Sequence, residues 1–339
     1  MWLDRIMDEE VVKLDKLDRE ILYILDTNSR TPASRIAKML KTSKERVIYR
    51  INRLVSEKVI DKFLMVTNLA ALGHSSYKVC VQLQKVSGAR EEEIVKSLVA
   101  HPRVGFVARS EGKYDLVFAL LARSPEDFNS QIGPFLSRFQ VNIRDYDMAI
   151  TLSGETFSRK YFLEEERREL TVATWGKGGK KPELDRVDVG ILKSLGEDCR
   201  KSALEIAKEV DVSGDTVLKR MKRVEEGGII QAYKVQLNKL RYGYRYHKLF
   251  LNMAFMKEKR EAQVKAYFRE HPYVVFAMRT LGKWNYELDV ELPASEHFHK
   301  VMREMRDHLG EELMSYESIY CYEEPKFNYM AIDTEGLVR

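Results

Sequence analysis

The spacing of apolar and polar residues changes along the chain, and the same order of changes occurs in both halves. Asp18 to Leu25 and Pro32 to Leu40 carry apolar residues at helical spacing, and a third such stretch runs from Thr42 to Ile60. Beyond it, Ser76 to Val86 alternates between apolar and polar residues, as a half-buried strand does. Three short helices with a tight turn before the third are typical of a helix-turn-helix unit.

The remainder of the first half predicts a helix, two strands, a helix and a final strand. These predicted elements are Glu91 to Ala100, Arg103 to Arg109, Tyr114 to Ala122, Pro125 to Phe139 and Val141 to Leu152. With the strand before them they follow the order β-α-β-β-α-β, which is the ferredoxin-like split motif. The predicted fold class is therefore α+β, with two tandem modules, each a winged or three-helix helix-turn-helix unit followed by a ferredoxin-like domain.

The two halves are related by one constant offset in residue number. The offset that takes Ile21 to Ile191 also takes His101-Pro102 to His271-Pro272 without a gap. The same offset relates Leu22 to Leu192, Leu25 to Leu195, Ser43 to Ser213, Arg50 to Arg220, Arg53 to Arg223, and Gly112 to Gly282. A period of this length exceeds that of any solenoid repeat, so it indicates a tandem pair of whole modules.

The duplication sets the expected domain boundaries. We expect helix-turn-helix domains over 1–66 and 182–236, and ferredoxin-like assembly and sensing domains over 67–155 and 237–323. Between the modules, 156–181 is rich in glycine and lysine near Trp175 and predicts a flexible linker. Residues 324–339 are expected to form a C-terminal tail.

The third helix of each unit is the candidate nucleic-acid reader. Its apolar face is expected to comprise Val47, Ile48, Ile51, Leu54 and Val55 in the first copy, and Val217, Leu218, Met221 and Val224 in the second. The other side is cationic, which requires either an anionic partner or a solvated surface. The predicted DNA-binding residues are Ser43, Lys44, Arg46, Tyr49, Arg50 and Arg53, with Ser213, Thr216, Lys219, Arg220 and Arg223. The alternative is a small helical bundle with a basic surface exposed to water.

The composition of the chain limits which kinds of partner it can bind. The net charge of the chain is +5, with 32% charged residues, so any surface for nucleic acid must be local. Three widely spaced cysteines fit neither a disulfide framework nor a zinc site, and they suggest a reducing cytoplasm. No apolar run approaches the length that spans a bilayer, and no signal-peptide pattern is found. We find no catalytic triad and no zinc-binding helix, and expect no catalytic residue, metal or cofactor.

The order of these motifs resembles the Lrp/AsnC family of transcriptional regulators. The residues that carry the resemblance are Leu17 to Leu22, Ile36-Ala37, Asn68 through Gly73, His101 to Val104 and Gly112 to Asp115, with Leu184 to Leu192, Gly227 to Ile230, His271 to Val274 and Gly282 to Asn285. The resemblance implies sequence-specific binding of double-stranded DNA and control by a small metabolite, usually an amino acid. It also implies a homodimer or larger even assembly. Members usually carry one copy, so two copies suggest a covalent pseudo-dimer.

The resemblance places the metabolite at a turn between two strands. The effector-binding residues it implies are Gly112, Tyr114 and Asp115 in the first copy, and Gly282, Trp284 and Asn285 in the second. Asp115 could meet an ammonium group, whereas Asn285 carries no charge. The alternative is an ordinary β-turn in which the Asp115 side chain stabilises its own backbone.

A second function comes from enzymes of similar fold. Siroheme decarboxylases resemble this family and are implied to carry an Arg-His-Arg cluster at the start of the first strand of the αβ domain. The corresponding stretches are Leu72 to Tyr77 and Tyr242 to His247, and neither contains that cluster. The chain is therefore predicted to be a regulator and not an enzyme, with tetrapyrrole binding as the alternative.

Overall fold

The order of elements follows the duplication. The computed structural model describes residues 11–163, 172–176, 183–294 and 296–338. The first module contains α1 (Lys16–Thr27), α2 (Ala33–Met39), α3 (Lys44–Ser56), β1 (Ile60–Thr67), β2 (Ser75–Leu83), α4 (Gly88–Ala100), β3 (Val104–Gly112), β4 (Leu116–Ala122), α5 (Pro125–Arg138) and β5 (Ile143–Phe157). After β6 (Val172–Trp175), the second contains α6 (Arg186–Glu197), α7 (Ala203–Val210), α8 (Gly214–Glu226), β7 (Ile230–Leu237), β8 (Tyr244–Met253), α9 (Glu258–Glu270), β9 (Val274–Gly282), β10 (Tyr286–Pro293), α10 (Phe298–Leu309) and β11 (Leu313–Phe327).

Each three-helix unit has its own apolar core. Ile21, Leu22 and Leu25 of α1 are fully buried, and Ile191, Leu192 and Leu195 of α6 repeat this arrangement. Both opening helices, α1 and α6, begin with a capping box. The side chain of the N-cap aspartate accepts a hydrogen bond from the amide of the third helical residue, and the side chain of that third residue, also an aspartate, accepts one from the N-cap amide. The apolar faces of the third helices are narrower than expected, because Ile48, Val55 and Leu218 are exposed at 40%, 39% and 53%.

A two-stranded antiparallel ribbon joins the two helix-turn-helix units. β1 pairs with β7 over nearly their full lengths. Equivalent residues make equivalent contacts on both sides of this ribbon. The guanidinium of Arg30 lies 5.5 Å from the ring centre of Tyr233, and that of Arg200 lies 5.1 Å from the ring centre of Phe63. Since the offset between the modules exchanges these two pairs, the ribbon lies on a pseudo-twofold axis within one chain.

The two ferredoxin-like domains share one closed ring of strands. Among the described residues, neighbouring strands follow the order β2, β4, β3, β11, β8, β10, β9 and β5, and β5 pairs again with β2. The two longest strands close the ring. β5 pairs first with β2 and then with β9 of the other domain, while β11 pairs first with β8 and then with β3. The two αβ domains therefore pair with each other within one chain, as in the covalent pseudo-dimer that the two copies suggest.

Closure of the ring buries both faces of β4, of nearly all of β10 and of the middle of β2. On β2, Tyr77, Val79 and Val81 pack towards the helices of the first domain, while Cys80 belongs to the apolar cluster inside the ring. On β10, Leu288 and Val290 likewise pack towards the helices of the second domain. The alternate residues Glu287, Asp289 and Glu291 then lie on the other face, and all three are buried. Burying three carboxylates costs free energy unless cations accompany them.

Basic residues from both modules neutralise these carboxylates. Lys248 donates to Glu287 at 2.7 Å and to Asp289 at 2.6 Å. Arg159 donates to both carboxylate oxygens of Glu291, at 2.7 and 2.9 Å, and to Asp26 of α1 at 2.6 Å. Burial alone would raise the pKa of Glu291, but the charges of Arg159 and Lys239 outweigh it and hold this pKa below its usual value. The network thus ties the first helix-turn-helix unit to β10 of the second module.

The start of the predicted linker and the predicted tail are both parts of the core, which differs from the sequence-based expectation. Arg159, Tyr161 and Phe162 are buried, and the two aromatic residues pack against the first three-helix unit. At the offset between the modules, the positions of the two aromatic residues are those of Ala331 and Ile332, which pack against the second unit. The two segments therefore occupy equivalent positions. The remaining predicted linker, apart from residues 172–176, lies outside the described residues.

Gly282 provides a test of ring closure. Its φ is +145°, and a Cβ there would lie 2.5 Å from the carbonyl oxygen of Met148 on β5. Replacing it by alanine, Gly282→Ala, is expected to lower the free energy of unfolding by more than about 1 kcal/mol, because both the backbone angle and the close approach of β5 exclude a side chain. Urea denaturation followed by circular dichroism measures this change.

The matched control is Gly88→Ala. Gly88 is the first residue of α4, and a Cβ there would meet nothing within 4 Å. We expect this control to leave stability unchanged or slightly increased. Equal unfolding midpoints for the two variants would show that the approach of β5 to this turn does not contribute to stability.

Candidate functional site

The exposed face of α3 contains a small group of potential DNA-binding side chains. Lys44, Arg46 and Tyr49 are exposed, and Tyr49 retains 65% of its accessible surface. Ser43 caps the helix by accepting a hydrogen bond from the Arg46 amide at 3.2 Å. The cap leaves the positive end of the helix dipole facing outward, where a phosphate group could bind.

Two of the predicted contact residues of α3 are already engaged within the protein. Arg50 lies 2.9 Å from one carboxylate oxygen of Asp18, and Arg53 lies 2.5 Å from the other. Arg50 also pairs with Asp15 at 2.7 Å. Burial opposes ionisation of Asp15, but the amide of Asp18 and the charge of Arg50 outweigh it and keep the pKa of Asp15 below its usual value. These arginines hold α3 against α1, and direct contact with DNA remains a prediction for them.

The second copy repeats this arrangement with a different set of exposed cations, which are Lys219, Lys222 and Arg223. Lys219 is exposed, while Arg220 pairs with Asp185 at 2.7 Å and Arg223 pairs with the buried Asp188. Thr216 lies at the position of Arg46, and its hydroxyl is within 2.9 Å of the capping Ser213 hydroxyl. The exposed surfaces of α3 and α8 therefore offer different hydrogen-bond donors, although their internal ion pairs match.

The predicted effector turns perform a structural role in both copies. A carboxylate oxygen of Asp115 accepts a hydrogen bond from the Leu83 amide at 2.6 Å. Asn285 makes two hydrogen bonds to Met253, the residue at the position of Leu83. Its side chain accepts from the Met253 amide at 2.8 Å and donates to the Met253 carbonyl at 2.7 Å. Both side chains therefore bind the backbone at the end of a neighbouring strand, β2 or β8, which differs from the expected alternative of an Asp115 side chain that stabilises its own turn.

The aromatic residues of these turns are also committed to packing. Tyr114 and Trp284 are 1% exposed and both lie against Phe250 inside the ring. The Tyr114 hydroxyl donates to Asp147 at 2.7 Å. Gly112 and Gly282 allow the strand of the neighbouring domain to approach. The side chains or close approaches of these six residues are thus used in packing and hydrogen bonding, and effector binding at them stays a prediction.

Sequence reasoning missed the partners of the reader helices. Asp18 and Asp188 are the third residues of α1 and α6, a position usually explained by helix capping alone. Their 32-residue separation from Arg50 and Arg220, repeated in both halves, was the available signal. No comparable signal in the sequence predicted that β1 pairs with β7. Each of these strands follows a helix, as the wing strand of a winged helix-turn-helix domain does.

Sequence comparisons agree with this class of fold. An AsnC-type helix-turn-helix family model matches residues 14–55, and a winged helix-turn-helix DNA-binding model matches residues 184–231. The chain is 31% identical over 119 residues to the HTH-type transcriptional regulator FL11 of Pyrococcus abyssi, covering 35% of this chain and 78% of that protein. It is 34% identical over 85 residues to the leucine-responsive regulatory protein of Rhizobium meliloti, covering 25% of this chain and 53% of that protein.

The two helix-turn-helix units define a protein of the helix-turn-helix regulator class. The chain belongs to the Lrp/AsnC family of transcriptional regulators. Its full length is also similar in fold to the siroheme decarboxylase NirDL, solved with an iron-uroporphyrin III analogue. That likeness has a TM-score of 0.56 and 15% identity, and covers 95% of this chain and 96% of the other. A solved structure thus shares this fold over nearly the whole chain.

The ion pairs of α3 predict different outcomes for its arginines. We expect Arg53→Gln to lower the free energy of unfolding by about 2 kcal/mol, because it removes a charged hydrogen bond to the buried Asp18. Arg46→Gln is the matched control, and it should change stability by less than about 0.5 kcal/mol because Arg46 is exposed. Chemical denaturation measures both. Equal loss in the two variants would contradict the assignment of Arg53 to the internal ion pair.

Proposed function

We propose that the protein binds specific double-stranded DNA through α3 and α8 and regulates transcription in response to a small metabolite. The observation that carries the proposal is the pair of third helices on opposite sides of the ribbon formed by β1 and β7. Each helix is capped by a serine, fixed to its neighbour by a buried aspartate, and exposed on its remaining face. This geometry suits insertion of each helix into a major groove.

The contact residues follow from exposure. Lys44, Arg46 and Tyr49 in the first unit, and Lys219 in the second, carry the direct contacts. Arg50, Arg53, Arg220 and Arg223 orient the helices, and those with solvent-facing nitrogen atoms add contacts to phosphate. Ser43, Ser213 and Thr216 contribute through the helix ends.

The affinity for DNA is expected to fall steeply with salt, because lysine and arginine contacts release counterions from the phosphates. Fluorescence anisotropy with a duplex chosen from a random pool measures this between low and moderate salt. Arg46→Gln should weaken binding and reduce the slope of log affinity against log salt by about one if Arg46 contacts phosphate. Lys96→Gln, on the exposed face of α4, is the charge-matched control and should bind as the native protein does. An affinity that does not change with salt would contradict the proposal.

The two readers should prefer different half-sites. Arg46, Tyr49 and Lys44 of the first copy correspond to Thr216, Lys219 and Gly214 of the second, so the donors presented to base edges differ. Selection from a random oligonucleotide pool should therefore recover an asymmetric site. Recovery of a strict palindrome per chain would mean that the two helices read the same sequence.

The enzyme alternative rests on the shared tandem fold alone. Neither His74 nor His247 lines the space between the ribbon and the ring or the surface pocket beside it. His74 lies 2.9 Å from the Leu72 carbonyl oxygen, and His247 stacks on Phe298 at 4.4 Å. Burial lowers the pKa of His247 to about 4. These histidine positions favour a regulator over a tetrapyrrole enzyme. We propose that this regulator is in the cytoplasm and forms homodimers or larger even assemblies. A Soret band on adding haem to the purified protein would favour the tetrapyrrole-binding function instead.

A further inference from the structure

A surface pocket of about 680 Å³, the edge pocket, lies beside the last residues of β11. β11 contributes residues 322–327 to its lining, β1 contributes Asp61 and Lys62, and the loop after β7 contributes residues 238–241. Ligand sites commonly measure about 300 to 1,000 Å³, so the edge pocket has room for several side chains.

The part of β11 that lines the edge pocket is paired on one side only, among the described residues. β11 pairs with β8 as far as Cys321, and residues 322–327 then pair with β3 alone. Pro325 lies at a register shift in the pairing with β3, a position where proline is tolerated in a strand. The other edge of residues 322–327 offers backbone amides and carbonyl oxygens to a further strand.

The equivalent edge in the first module is occupied by a strand of the chain itself. At the offset between the modules, residues 324–327 of β11 correspond to residues 154–157 of β5. β5 pairs there with β9 on one side and with β6 on the other, from Gly154 opposite Trp175 to Phe157 opposite Val172. β6 also lies against β7 of the ribbon. In the first module, β6 therefore fills the space that is the edge pocket in the second.

The same offset identifies a segment that fits the edge pocket. At that offset, β6 corresponds to residues 2–5, which have the sequence Trp-Leu-Asp-Arg and lie outside the described residues. β6 precedes the second helix-turn-helix unit and pairs with the last strand of the first module. Residues 2–5 precede the first unit, so the pseudo-twofold relation directs them to the last strand of the second module.

The described chain begins beside the edge pocket. The Val12 amide donates to the carbonyl oxygen of Arg241 at 2.7 Å, and Arg241 lines the pocket. A Cβ at Gly243 would lie 3.5 Å from the Val11 side chain, so Val11 lies at the same loop. Residues 5 to 12 span up to about 23 Å when extended, at about 3.3 Å per residue. Residues 2–5 can therefore reach the edge of β11 within the same chain.

The charges of the N-terminal segment and of the edge pocket are complementary. Residues 1–10 carry four carboxylates and one arginine. The lining of the pocket carries five basic side chains and three carboxylates, so its charge is of the opposite sign. Tyr322 and Phe327 also line the pocket and offer apolar surface to Trp2 and Leu3.

We propose that residues 2–5 add to the unpaired edge of β11 as a short strand and fill the edge pocket, as β6 does on β5. The added strand ties the start of the first helix-turn-helix unit to the second αβ domain. The edge pocket is then a docking site for the N-terminal segment of this chain, and not a site for a metabolite. The proposal does not depend on DNA binding.

Hydrogen exchange of the full-length protein without DNA, followed by mass spectrometry, tests the proposal. Combining Leu3→Pro with Asp4→Pro removes two successive amide N–H groups, so one of them is lost from the ladder whichever of the two faces β11. We expect exchange in residues 322–327 to rise by at least about tenfold, because their outer amides then open to water. Exchange in residues 154–157 should not change.

The matched control places the same two prolines in β6. Ala173→Pro combined with Thr174→Pro removes the equivalent amides from the strand that pairs with β5. This control should raise exchange in residues 154–157 and leave residues 322–327 as they are in the native protein. Circular dichroism verifies that both variants are folded.

A second variant removes the segment without adding proline. Deletion of residues 1–8 should raise exchange in residues 322–327 to the same degree. A synthetic peptide with the sequence of residues 1–10 should restore their protection, whereas a peptide of the same composition in scrambled order should not.

Two results would overturn the proposal. If residues 322–327 exchange equally fast in the native protein, the proline variant and the deletion, the N-terminal segment does not occupy this edge. If their protection is present at high protein concentration and lost on dilution, the occupant is a second copy of the chain. Pairing within one chain requires protection that is independent of concentration.

Discussion

Strand pairing between the two modules is the constraint on which the rest of this structure depends. β5 and β11 are each long enough to pair within their own domain and then continue into the other one. The backbone groups at the ends of these strands are satisfied only when both modules are present. The ribbon of β1 and β7 adds a third crossing. A single module would leave all three edges unpaired, which is unfavourable and prone to association.

This pairing explains why charged residues occur in the interior. Closing the ring buries Glu287, Asp289 and Glu291, which would lie on an open face of an isolated sheet. Lys78 from the other module and Arg159 from the connecting segment then compensate them. Ion pairs of this kind rarely add stability over apolar packing, but removal of one partner is strongly unfavourable. They therefore favour one specific pairing of the modules over alternatives.

The side chains that fix the third helices in place differ from the side chains that these helices expose. On α3 and α8, arginines paired with Asp18 and Asp188 set the orientation, and the remaining exposed side chains are available to DNA. On these helices the duplication kept the structural pairs and changed exposed residues. Divergence between the copies is concentrated where a partner would bind.

The sequence by itself determined the elements, their duplication and the caps. Helical and alternating periodicities are local properties, and the constant offset that relates Ile21 to Ile191 needs no structure to be seen. Only the tertiary structure decided which arginines are free, because Asp18 and Arg53 meet through packing of α1 on α3. It also decided that Tyr161 and Ile332 belong to the core and that the Asp115 carboxylate accepts a hydrogen bond from the Leu83 amide at the end of β2. The space between the ribbon and the interior of the ring is lined by residues of both modules, so no local pattern in either module could have revealed it.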